Sequence, residues 1–164
     1  CAEWLEHLEI AQVAVDTQNY RQGDCLFSVC PWWEGPAAQA RIEALLEDAA
    51  RERSGPWIWI YHAPPEGAKT CWNGKAFSGD AFLAGLIAKH QPDLVLSGHI
   101  HASPFRSEGH WCDRLGTTWV FNPGRIMPSI PATIDIDLTT RQATWTSEMD
   151  TQTLNLQDGT LASI

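Results

Sequence analysis

Positive charge is scarce in this chain: eleven Lys and Arg stand against twenty Asp and Glu, a formal net charge of −9. Such a balance repels a phosphate backbone, which argues against a general nucleic-acid binder. The deficit is uneven. Between residues 62 and 125 six basic residues face five acidic ones, so that near-neutral stretch tolerates a small anion. Long apolar runs are also missing. None approaches the ~20 residues that cross a bilayer, so no membrane partner is expected. The five cysteines include no Cys-x-x-Cys pair, and an odd set does not build a disulfide framework. Free thiols in a reducing cytoplasm are the expectation. Internal repeats and low-complexity tracts are absent. So is an initiator Met: the chain opens at Cys1 with helix-like "CAEWLEHLEI", and upstream sequence is expected to precede it.

Hydrophobic residues make up 44% of the 164 residues, enough to pack one domain. Nine tryptophans suit core filling and loop anchoring better than a ligand cage. Residues 2–9 read as a short helix and 11–18 as a half-buried strand, with a turn over Tyr20–Gly23 before a second strand at 24–30. After "PWWEGP", residues 37–53 form an amphipathic helix with Ile42, Leu45, Leu46 and Ala49 on one stripe. "WIWIY" at 57–61 and "DLVLS" at 93–97 are continuous apolar runs, as in strands covered on both faces. Between them a helix spans 80–90, with Ser78 or Asp80 near its N-cap. An irregular stretch runs to Gly116, followed by a strand at 117–121 and a hairpin pairing 132–138 with 142–147. From about residue 150 the chain reads as a tail or an edge strand.

The strand–helix–strand unit from 57 to 97 makes its two strands parallel, so both end at the same sheet edge. His62 follows the first strand; His99 and His101 follow the second, within "SGHIHASPF". Ligands of open α/β sheets bind beyond the carboxyl ends of strands. In extended backbone, residues two apart point the same way. His99 and His101 are therefore expected to face one cavity, with Ile100 turned into the core and Gly98 supplying the bend. Neutral imidazole is the commonest metal-donating side chain, so the three histidines are candidate ligands for one or two metal ions. His7, His90 and His110 read as surface or helix-end residues. His110 and Cys112 with Cys71 would need a fourth ligand to hold zinc, and none is evident.

Together "WIWIYHAPPEG", "PDLVLSGHIHASPF" and "TTWVFNPGR" resemble, in order, the C-terminal half of a calcineurin-like metallophosphoesterase, with Gly-His-x-His the most specific piece. The likeness covers about residues 24 to 147. It implies a four-layer α/β/β/α sandwich of mixed sheets flanked by helices, in which residues 1–164 form a single C-terminal half-domain. It implies two divalent metals (Mn, Fe or Zn) and hydrolysis of a phosphoester substrate. His62 and His99 would bind one metal and His101 the other. Lys69, Lys75, Arg106, Arg114 and Arg125 are candidate substrate contacts. The family's Asp-x-His, Gly-Asp-x-x-Asp and Gly-Asn-His motifs do not occur: "GDCLF" and "GDAFL" lack the second Asp. Without a bridging carboxylate, nothing offsets the repulsion of two cations. The chain therefore carries half an active site, complemented by a missing N-terminal half or a second chain, or else it is a non-catalytic binding module. With helices on one side only, the opposite face of the sheet is expected to lie open.

Overall fold

The computed structural model describes residues 17–127 and 129–163. The helix expected at 2–9 and most of the strand expected at 11–18 lie outside them. The first hairpin joins β1 (Gln18–Gln22) to β2 (Cys25–Val29), whose burial alternates along the strand. Its turn falls at Gly23 and Asp24 instead of Tyr20–Gly23, because Tyr20 pairs with Phe27 inside the ladder. Helix α1 (Gly35–Glu52) buries Ala38, Ile42, Leu46 and Ala49 along one stripe. Strand β3 (Trp57–Ile60), helix α2 (Ala81–His90) and strand β4 (Leu94–Leu96) complete the expected crossover. Asp80 caps α2, accepting from the Leu83 N–H at 2.9 Å.

Strands β2, β3, β4 and β6 (Thr118–Phe121) are parallel neighbours, with β1 antiparallel at one edge. Strand β5 (Cys112–Leu115) is antiparallel at the other edge and closes the order β1-β2-β3-β4-β6-β5. The irregular stretch before Gly116 thus hides a strand. Its "CDRL" has no clear apolar alternation, and only pairing with β6 selects it. A second, antiparallel sheet holds β7 (Thr133–Asp137), β8 (Gln142–Thr146), β9 (Thr151–Asn155) and β10 (Leu161–Ser163), in the order β10-β9-β8-β7. The stretch after 150 is therefore two strands, one of them interior to its sheet.

Side chains that alternate along the parallel strands build two cores. Trp57, Trp59, Tyr61, Val95 and Val120 pack with Ile42, Leu46, Leu83 and Ile87 of the helices. Ile58, Leu94, Trp119 and Phe121 point the other way and meet Ala143, Trp145 and Leu154 of the second sheet. The fold is α/β with a mixed sheet, layered helices, sheet, sheet. The face expected to lie open is covered by the chain's own C-terminal strands, which supply the apolar side of an alternating pattern. Cover thins at the carboxyl end of β3: Ile60, on the same face as Ile58, stays 41% exposed. Among the described residues no helix is long and apolar enough to cross a membrane, and Cys25, Cys30, Cys71 and Cys112 are free thiols.

Trp145 joins the two sheets. It is buried, stands 5.6 Å from Phe105 and donates its indole N–H to the Pro123 carbonyl at 2.9 Å. Trp145→Ala is expected to cost about 3–5 kcal/mol of stability in urea unfolding. A loss below about 1 kcal/mol, the size of a surface change, would contradict a close-packed inter-sheet core.

Candidate functional site

Pairing between β3 and β4 continues past the ends of both strands. Tyr61 N–H donates to the Leu96 carbonyl at 2.9 Å, and Gly98 N–H donates to the His62 carbonyl at 3.1 Å. The extended ladder holds His62 beside His99. Nε2 of His62 lies 2.9 Å from Nδ1 of His99, with ring centroids 4.7 Å apart. Burial and the neighbouring His99 charge, in that order, hold the His62 pKa below the ordinary histidine value.

The backbone at His99 is not extended. Its φ is +60°, and Ile100 N–H closes back on the Gly98 carbonyl at 2.6 Å, a γ-turn centred on His99. The bend falls on the histidine and not on Gly98, where an added Cβ would meet only the His62 carbonyl oxygen, at 4.0 Å. Alternation therefore fails across this tripeptide, although Ile100 does turn inward and is buried. His101 is exposed, and its carbonyl accepts the Arg125 N–H at 3.0 Å. Among the described residues no group of three or more His, Cys, Asp or Glu side chains is arranged to hold a metal ion. The two paired imidazoles are close enough to serve one ion; they do not make a dinuclear centre. His110 and Cys112 likewise gain no third such side chain among the described residues. Cys112 Sγ lies 3.4 Å from His110 Nδ1, and burial pushes the Cys112 thiol up to about 12.

Asn122, just after β6, holds the turn from below. Its buried Nδ2 donates to the carbonyls of Ile100 at 2.8 Å and Thr70 at 3.0 Å, while Oδ1 accepts the Gly124 N–H at 3.1 Å. Gly124 has φ +67°, and a Cβ there would sit 2.5 Å from Pro104 Cδ. The Asn-Pro-Gly sequence is thus a clasp on the histidine loop.

Two residues of the site escape the sequence reading. Trp32, which reads in sequence as a loop anchor, is 52% exposed and stands edge-on to the His62 ring at 4.5 Å and 6.0 Å from the His99 ring. Asp80, expected only as a possible cap, also accepts from Trp33 Nε1 at 2.8 Å and from the Tyr61 hydroxyl at 3.0 Å, both on Oδ2. Burial and this carboxylate raise the Tyr61 pKa. With these three donors Asp80 ties the loop after β2, the end of β3 and the start of α2 into one frame. Trp32 is one of nine tryptophans, and only its position after a parallel strand marks it out.

An L-residue in the left-handed region is strained by roughly 1–2 kcal/mol, which glycine avoids. His99→Gly is therefore expected to be about 1 kcal/mol more stable than His99→Ala in chemical denaturation; equal stabilities would contradict the γ-turn. His99→Gly also removes the second cause of the His62 shift. The His62 protonation midpoint, followed by NMR, should rise toward the ordinary value yet stay below it, since burial remains. Because folding depresses this pKa, the associated stability is present above the ordinary histidine range and fades as pH falls through the depressed value. A midpoint that does not move would contradict the pairing.

No known family profile and no curated protein matches the chain. Solved structures do. One crystal structure aligns over 92% of this chain and 52% of its own, at 14% identity and a TM-score of 0.55. The crystal structure of TT1561 of Thermus thermophilus aligns over 92% and 57%, at 19% identity and a TM-score of 0.51. A Staphylococcus aureus structure provisionally named a 5′-nucleotidase, solved with α-ketoglutarate, aligns over 90% and 28% at 13% identity; its TM-score of 0.41 is too low to carry an argument. At these identities the first two establish a shared fold alone, and this chain spans about half the length of each.

Proposed function

We propose that this chain carries the histidine side of a metal-dependent phosphoester hydrolase of the calcineurin-like kind. The observation that carries the reading is the His62–His99 pair, 2.9 Å apart at the carboxyl edge of adjacent parallel strands. Its sequence frame supports it: Gly-His-x-His after one strand, His-Ala-Pro-Pro after another, Asn-Pro-Gly after a third. In this reading His62 and His99 hold one divalent ion (Mn, Fe or Zn), and His101 serves a second. A bound ion supplies an acidified water and positive charge for the phosphoryl oxygens. The chain's own part is to fix two imidazoles: burial depresses the His62 pKa, and the γ-turn is clasped by Asn122. Asp80 does not supply the missing carboxylate, because its oxygens are engaged by Trp33, Tyr61 and Leu83.

The remaining ligands and the fourth layer of an α/β/β/α sandwich then come from a complementary segment or a second chain. The thinly covered strip around Ile60 is where such a segment fits. Free thiols suit a cytoplasmic setting. One observation favours the alternative, a non-catalytic binding module: no third metal ligand joins the pair among the described residues.

Hydrolysis of p-nitrophenyl phosphate with Mn²⁺ distinguishes the two. The 164-residue chain alone is expected to be slow. Supplied with a segment bearing Asp-x-His and Gly-Asp-x-x-Asp strands, it should gain activity that His62→Ala or His99→Ala lowers by about a hundredfold or more, as expected where a positioned group is lost. Activity of the complemented protein that survives both substitutions, or no activity once complemented, would overturn the hydrolase reading.

A further inference from the structure

A cavity of about 470 Å³ opens beside His99, within the range of small-ligand sites. We propose that it is a subsite for a flat, uncharged aromatic group, with Trp32 as its stacking wall. The proposal rests on the hydrolase reading in one respect only: this group is then the leaving-group side of the phosphoester.

Three observations set the chemistry. The first is the wall. Trp32, Trp33 and Phe82 line the cavity together with the small Ala63. An indole half in solvent is an unfinished contact: its large apolar face gains from any flat group that covers it. Trp32 stands at 81° against the His62 ring, with centroids 4.5 Å apart. The second is rigidity. Trp33 is pinned by its bond to Asp80 and packs at 67° on Phe82, 5.8 Å away, so that wall is formed before any ligand arrives and little ordering is required on binding.

The third is charge. Asp80 lines the cavity at the start of α2, and its carboxylate already caps that helix. A second anion there would face the carboxylate with the helix end already answered. No Lys or Arg lines the cavity. The recess therefore rejects a phosphoryl group, which is left to the histidine pair at its mouth, and accepts the neutral organic part. One molecule spans both: His99 belongs to the pair and to the cavity wall.

The test uses 1-naphthol and its saturated decalin counterpart as probes, added to the ¹⁵N-labelled chain without metal, with the indole N–H signals followed by NMR. Naphthol should shift Trp32 and Trp33 together, and the decalin alcohol should bind more weakly. Trp32→Ala should weaken naphthol binding about tenfold, the scale of one lost aromatic contact, and Trp32→Phe should restore part of it. Unfolding midpoints of both variants should match the parent, as expected for an exposed position. Shifts confined to other tryptophans, no shift at the solubility limit, equal affinity for the saturated alcohol, or indifference to Trp32→Ala would each overturn the proposal. Neither probe carries phosphate and no metal is added. A negative result here therefore leaves the hydrolase reading standing, and failed hydrolysis leaves a positive binding result standing.

Discussion

The parallel pairing of β3 with β4 is the constraint on which the site depends. Both strands are apolar on both faces, so they are held in the sheet centre by the helices on one side and the second sheet on the other. A parallel ladder has one register once its faces are buried, because slipping by one residue would exchange the two cores. That register delivers His62 and the Gly98–Ile100 turn to the same height. The last two ladder bonds, Tyr61 to Leu96 and Gly98 to His62, lie beyond the strands proper and bring the imidazoles within 2.9 Å.

Around that pair the sequence has placed strain and its support together. A histidine at φ +60° persists only where its neighbours over-determine it. Here the support is identifiable: Asn122 grips the Ile100 carbonyl from the end of β6, and Arg125 N–H grips the His101 carbonyl. Asp80 performs a similar office on the opposite side, where Trp33, Tyr61 and Leu83 converge on it. Neither Asn122 nor Asp80 touches the imidazoles through its side chain; each fixes the backbone or wall from which the site is built.

Much of this is legible in the sequence, and for definable reasons. Apolar runs at 57–61 and 93–97 with a helix between them dictate a crossover, and the crossover dictates that His62 and His99 share an edge. Two things are not legible. The γ-turn at His99 breaks the period-two rule within a single residue, and nothing in "SGHIH" signals it; composition places the bend at Gly98, the residue with the freedom to make it. The second sheet is half hidden, because β9 is a polar segment and β10 is only three residues long, so pairing and not composition makes them strands. Read as a tail or an edge strand, they leave the inner face open, whereas Leu154 is fully in the core. Trp32 is visible but indistinguishable in sequence from tryptophans with packing roles.

The central claim, that two adjacent parallel strands present His62 and His99 as one donor pair, is tested most directly by paramagnetic relaxation. Substoichiometric Mn²⁺ added to the labelled chain should broaden the ring signals of His62 and His99 together, at the same metal concentration, while half-buried His110 persists. Broadening of His99 without His62, or of neither while another histidine responds, would contradict it.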